Sequence, residues 1–130
     1  MAKVVLDSSV LIALLDPKDA HHEAAVRGTS AKNDYLISAI TLSESLIAPY
    51  KISQSVGDSI KKQIMTLFSG IVAVDEKIAA EAARIRAANK ISLPDAIISA
   101  TAEASKAQLW SCDNGLVKSH KGSKFISVDS

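Results

Sequence analysis

Short apolar runs that read as strands alternate with longer stretches of helical periodicity along the whole sequence, and this alternation limits the chain to a narrow set of folds. Residues 3–6 (KVVL), 35–38 (YLIS), 71–74 (IVAV), 108–112 (QLWSC) and 124–128 (KFISV) have the length and apolar character of strands. Between them, 9–15, 21–28, 39–50, 53–70, 76–89 and 92–107 read as helices. Val56, Ile60, Ile64 and Leu67 recur at helical spacing, and Ile78, Ala82, Ile85 and Asn89 share one face. Pro17 stops the first helix, Gly28 ends the second, Pro49 is placed to bend the third and Asp75 to cap the fifth. Strands separated by helices pair in parallel, because a parallel pair needs a crossover. The expectation is an α/β sandwich on a largely parallel sheet, in one domain spanning residues 1–130.

Composition excludes several functional classes. With 15 basic and 14 acidic side chains the formal net charge is +1, so any contact with nucleic acid must rest on a local patch. The single Cys112 forms no internal disulfide, which points to a reducing, cytoplasmic setting. Lys3 followed by "VVLDSSVLIALL" has the outline of a signal peptide, but Asp7 breaks the apolar run and no small-residue cleavage pattern follows. No apolar run approaches the roughly 20 residues of a membrane span.

Asp7 is costly where it stands, between an apolar strand and an apolar helix, unless something compensates its charge. It lies at the carboxyl end of the first strand, and Asp113 lies just beyond that of "LWSC", the edge where open parallel sheets bind ligands. Glu44 shares a helical face with Ile40, Ile47 and Ala48, and Asp95 opens the sixth helix beside the apolar "AII". All four acids can converge on one cleft. Two carboxylates about 5 Å apart repel by on the order of 3 kcal/mol at an effective dielectric near 20. A divalent cation removes that repulsion, and an oxygen-only donor set suits Mg²⁺ or Mn²⁺ better than Zn²⁺. A metal held at such an edge suits phosphoryl chemistry, where it activates water and neutralises charge on phosphorus.

Each acid also has an ordinary alternative. Asp7 can cap the helix that starts at Ser8 or Ser9, and Asp95 can complete a capping box opened by Ser92. Asp113 in "CDNG" fits a turn, and Glu44 becomes a surface acid if the helix phase shifts by one residue. Other strand-end Asp chemistries fit less well. A haloacid-dehalogenase type phosphatase wants a second acid where this chain has Ser9, and a receiver domain wants an acid pair at the first strand end. No glycine-rich dinucleotide fingerprint or Walker loop occurs.

The order of the acids resembles the PIN domain family, especially its small single-domain VapC toxins, over essentially the whole chain. "VVLDSSVLIALL" resembles the family's opening motif, "SAITLSESL" its second, "SLPDAIISATA" its third and "LWSCD" its fourth. The resemblance implies a three-layer α/β/α sandwich and a Mg²⁺- or Mn²⁺-dependent ribonuclease that hydrolyses phosphodiester bonds with an activated water. It implies that Asp7, Asp95 and Asp113 hold metal, that Glu44 completes the cluster and orients or deprotonates the water, and that Ser9 and Ser111 tune the site through hydroxyl hydrogen bonds. It further implies a VapB-type antitoxin that places a basic side chain among the acids, and a homodimer formed through apolar helix faces. Many relatives carry another acid two residues after the fourth; here that position is Gly115, so a second ion would need RNA phosphate to help hold it.

RNA approaching an acidic cleft needs cations nearby, and Lys118, His120, Lys121 and Lys124 follow Asp113 closely. A solvated C-terminal loop is the competing reading of the same residues. Arg84, Arg86 and Lys90 are a second cationic group. The adjacent His21 and His22 cannot face one ion from a helix and read as surface residues, and Trp110 reads as core. The apolar residues of "IKKQIMTLF" fit either a dimer interface or the core. The competing functional class is a catalytically silent PIN-like module that binds RNA or protein.

Overall fold

The computed structural model describes residues 1–113, 116, 117, 120 and 122–126. Its elements follow the order β1 (Lys3–Leu6), α1 (Ser8–Leu15), α2 (His22–Gly28), β2 (Asp34–Ser38), α3 (Ala39–Ile52), α4 (Gln54–Leu67), β3 (Gly70–Val72), α5 (Glu76–Ala88), α6 (Leu93–Ala104), β4 (Gln108–Ser111) and β5 (Lys124–Phe125). The strands form one parallel sheet in the order β3-β2-β1-β4-β5.

The central strand explains the layers. Val4, Val5 and Leu6 are all buried, but their side chains alternate across the sheet. Val4 and Leu6 pack with Val10, Leu11, Ala24, Ala25, Leu46 and Ile64, from α1 to α4. Val5 packs on the other side with Leu109 and with Ile98 and Ala102 of α6. Beyond them, Ile78 and Ala82 of α5 pack on Ala96 and Ala100 of α6. Helices therefore cover both faces, giving the expected three-layer α/β/α sandwich. No helix among the described residues is long and apolar enough to cross a membrane.

Local chemistry sets the ends of the elements. Side chains of Asp7, Ser38, Ser53, Asp75 and Ser92 accept the first free N–H groups of their helices. The sixth helix, expected to reach residue 107, stops at Ala104. Lys106 takes a left-handed conformation (φ 53°), so that its N–H meets the Glu103 carbonyl and the Ala107 N–H meets that of Ala102. The helix is closed there and β4 starts at Gln108. Pro49 lies within α3, which runs on to Ile52. Gly57 lets α4 lie against Tyr50 of α3; a Cβ there would stand 2.0 Å from the ring.

One expectation about faces needs correction. Ile47 is 55% exposed and Ala48 is also exposed, so neither belongs to the core. The buried side of α3 carries Thr41, Ser45 and Leu46, while Ile40 packs with the α6 layer. Along "IKKQIMTLF" the residues divide: Ile60, Ile64 and Phe68 join the core, whereas Met65 and Leu67 are exposed.

Candidate active site

The order of the strands reverses beside β1. The chain leaves β1 through α1 and α2 to β2, continues to β3, then returns by α5 and α6 to β4 on the other side of β1. Such a reversal opens a crevice at the carboxyl ends of the two adjoining strands. The last residues of β1 and β4 are Leu6 and Ser111, and Asp7 follows directly on the first. The register holds them together: Leu6 pairs with Trp110, and the Asp7 N–H donates to the Trp110 carbonyl at 3.1 Å.

Asp7 is 3% exposed and both of its oxygens are engaged. Oδ1 accepts the Val10 N–H at 3.1 Å and the Ser9 hydroxyl at 2.6 Å, and Oδ2 accepts the Ser111 hydroxyl. Ser9 Oγ in turn accepts the Cys112 N–H at 3.0 Å, and Ser111 Oγ accepts the Asp113 N–H at 2.8 Å. The two hydroxyls thus fix Asp7 and also stitch α1 to the segment that carries Asp113. Asp7 is both a helix cap and the centre of a bonded cluster, so its ordinary reading and its functional one coexist.

Glu44 is partly buried, and its Oε1 accepts the Ser8 hydroxyl at 2.5 Å. Ser8 was legible only as the start of a helix; its bond to an acid 36 residues away required the tertiary structure. Asp95 sits in the first turn of α6, its N–H donating to Ser92 Oγ at 3.2 Å as the capping box requires. Asp113 is exposed at the mouth of the crevice.

Charge links the four acids. Burial pushes the Asp7 carboxyl above the usual carboxylate range; bonds from Ser111, Ser9 and Val10 pull it back, and the charge of Asp113 adds to the rise. Asp95 is raised first by burial and then, against the Ser92 bond, by the charges of Asp113, Asp7 and Glu44. Burial pushes the Cys112 thiol up to about 11, which favours its protonated form near neutral pH.

These shifts have a thermodynamic sign. A carboxyl whose pKa is raised by folding binds its proton more tightly in the folded state, so its contribution to stability is greatest below the unfolded pKa and is lost as pH rises through the folded one. Asp95→Asn is therefore expected to raise the melting temperature of metal-free protein at pH 7.5 by about 2–4 °C, with the difference shrinking as pH falls toward 4. Calorimetric melts in chelator check this; equal melting temperatures at pH 7.5 would show that neither burial nor the neighbouring charges oppose the Asp95 carboxylate.

The donor set is all oxygen, and among the described residues no basic side chain forms an ion pair with Asp7, Glu44 or Asp95. The acids do not form a closed cage, since no three His, Cys, Asp or Glu side chains among the described residues are grouped to grip an ion. Mg²⁺ asks for no such cage, because it keeps several waters and takes one or two carboxylates. The residues fit an ion of that kind.

The cationic candidates are placed less uniformly. Lys118 and Lys121 lie outside the described residues. His120 is not available to a phosphate: it is 6% exposed, and its Nδ1 shares a hydrogen bond with Ser99 Oγ. Burial lowers its pKa, which favours the neutral ring. Lys124 is exposed, with Nζ 4.2 Å from the Trp110 ring centre. Arg84 pairs with Glu81 on the outer face of α5. Beside Glu44, an apolar groove of about 330 Å³ runs between α1, α3 and α4, lined by Ile12, Leu15, Ala48, Pro49, Val56 and Ile60 among others. No sequence period announced it, because its walls come from three helices.

The sequence matches the PIN domain family over residues 4–121. No curated protein matches it. Among solved structures it is similar to FitAcB from Neisseria gonorrhoeae, at 24% identity over 94% of this chain and 96% of that one, with a TM-score of 0.77. A sarcin-ricin loop cleaving VapC toxin from Mycobacterium tuberculosis is 17% identical over 88% of this chain and 93% of its own, with a TM-score of 0.74. A toxin-antitoxin complex from Klebsiella pneumoniae contains a chain 22% identical over 95% of this one and 99% of that one, again with a TM-score of 0.74. At these identities the likeness establishes the fold.

Proposed function

The chain belongs to the PIN domain family, and on that premise we propose that it is a metal-dependent endoribonuclease, the toxin of a VapBC-type toxin-antitoxin pair. One observation carries this reading. Asp7, Glu44, Asp95 and Asp113 come from four separate parts of the chain, and the charges of the other three act on Asp95. Such an arrangement is unfavourable in the free protein and becomes favourable when a cation binds.

Asp7, Asp95 and Asp113 are the residues that would hold Mg²⁺ or Mn²⁺, one or two of them directly and the rest through its bound waters, and the ion would supply a Lewis acid that lowers the pKa of water and neutralises charge on phosphorus. The chain supplies the rest. Ser9 and Ser111 keep Asp7 in one rotamer, so no side-chain freedom is lost when it engages an ion. Glu44 has Oε1 held by Ser8, and its Oε2, which has no partner among the described residues, would orient a water and accept its proton. Lys124, with Lys118 and Lys121, would meet the RNA backbone.

The family and the antitoxin-bound character of similar structures support a VapB-type partner. The groove beside Glu44 suits its apolar side chains, with a basic one turned toward the acids. A homodimer would use exposed apolar side chains such as Met65 and Leu67, and a cytoplasmic location follows from an RNA substrate inside the cell.

The test is incubation of purified, antitoxin-free protein with end-labelled structured RNAs, including tRNAs, in Mn²⁺, Mg²⁺ or chelator. Discrete products that need metal are expected. Mn²⁺ at about 100 times its dissociation constant should also stabilise the fold by about 2.7 kcal/mol, seen as a higher melting temperature that chelator reverses. No cleavage and no shift in melting would favour the silent RNA- or protein-binding module.

A further inference from the structure

His120 was expected at the surface, yet the structure buries it against Ser99, which is itself 1% exposed, with 2.6 Å between Ser99 Oγ and His120 Nδ1. The location of this bond gives it a consequence for the acids. Ser99 stands one turn after Asp95 on α6 and shares its face. His120 is tied back to Asp113 through the backbone: the Val117 N–H donates to the Asp113 carbonyl at 3.1 Å, and the His120 N–H donates to the Val117 carbonyl at 3.4 Å. Ser123 closes the turn, its hydroxyl donating to the carbonyls of Val117 at 2.7 Å and His120 at 2.9 Å. A continuous chain of bonds therefore runs from Asp113 through His120 and Ser99 to the helix that presents Asp95.

Ser9 and Ser111 hold the start of this segment through the Cys112 and Asp113 N–H groups, and its anchor farther along differs in kind. Leu116 is fully buried with Ile98 and Ala102 of α6, which holds the segment down by packing but leaves its rotation to directional contacts. Among the described residues the bond between Ser99 and His120 is the side-chain hydrogen bond that joins the segment to α6.

We propose that Ser99 and His120 form a positioning latch that sets Asp113 relative to Asp95, so that the two carboxylates can hold one ion. This rests on the metal-dependent reading above. Neither residue touches the ion or the substrate; both act by fixing the segment that carries Asp113. Groups bonded directly to metal ligands commonly change metal affinity by about 10- to 100-fold, and a latch acting one step further out is expected at the lower end of that range.

The experiment compares the wild type with His120→Ala, Ser99→Ala and His120→Asn at a temperature where all are folded. Asn is included because its amide can still bond to Ser99. In metal-free protein, amide hydrogen exchange at Val117 and Asp113 should quicken about tenfold in both Ala variants and return toward wild type in His120→Asn. Mn²⁺ titration by calorimetry should show at least tenfold weaker binding in the Ala variants, with recovery in His120→Asn. Ser99→Ala leaves the smaller void and keeps the test open if His120→Ala fails to fold. Unchanged exchange at Val117 and Asp113 would overturn the latch whatever the metal does. Quickened exchange with wild-type Mn²⁺ affinity would overturn its positioning role. A wild type that binds no Mn²⁺ would remove the metal-dependent reading and the positioning role together, while the exchange data would still decide whether the latch exists.

Discussion

Asp7→Asn is expected to lower metal-dependent cleavage on the order of 10³-fold, a loss of about 4 kcal/mol of transition-state stabilisation, while the melting temperature in chelator stays level or rises. The two expectations come from the same surroundings. Asn keeps the size of Asp and an oxygen that can accept the Val10 N–H, so α1 retains its cap. Its amide can donate to the oxygen of a neighbouring hydroxyl, so the links through Ser9 and Ser111 survive with reoriented protons. What disappears is a charge that burial opposes and that Asp113 repels, a change that favours the metal-free fold. On the proposed function, the same charge is the one an ion would need. Initial rates on an RNA found to be cut, together with calorimetric melts, separate the effects. Cleavage within threefold of wild type would show that Asp7 is only a cap.

The fold was legible because its signals are local or periodic. Every expected strand and helix has a counterpart, and the caps at Asp75 and Ser92 act as their positions suggest. Where the reading failed, the deciding contact lay outside the segment. Lys106 ends α6 in a left-handed conformation for which the sequence offers no glycine signal, so the helix looked longer than it is. The apolar spacing of Ile40, Ile47 and Ala48 suggested one core-facing stripe. The face that is buried depends on which neighbours cover α3, and Ile47 lies where no element among the described residues covers it.

The acids were visible for a related reason. A carboxylate at the end of an apolar strand is anomalous in sequence alone, and Asp7 meets that test without any knowledge of its partners. The partners were hidden: Ser8 reaches Glu44 across 36 positions, and Ser111 reaches Asp7 across 104. His120 shows the opposite error. Its lysine neighbours suggested a solvated basic loop, but burial is decided by α6, whose Ser99 receives the ring. Charge patterning along a loop describes only the side chains that face water.

Trp110→Ala should cost about 3–5 kcal/mol and lower the melting temperature by roughly 10–20 °C, the largest stability effect expected of a single substitution near the site. Trp110 is buried on β4, its ring edge-on to Tyr35 of β2 at 5.7 Å between centres, and Lys124 of β5 covers it. It thus ties together strands on both sides of β1, as well as packing beside Gly28 at the end of α2. A domain of this size has only about 5–15 kcal/mol to lose, so the Ala variant should be partly unfolded at 37 °C. Trp110→Phe keeps a ring against Tyr35 and should lose far less, about 1–2 kcal/mol. Because the chain has one Trp, circular dichroism in urea is the appropriate measurement. The Phe variant should keep its metal-dependent cleavage within about threefold, because the backbone pairing of β1 with β4 holds Ser111 against Asp7. A folded Trp110→Phe protein that lost cleavage would instead assign the indole a part in binding RNA, through the face that Lys124 now covers.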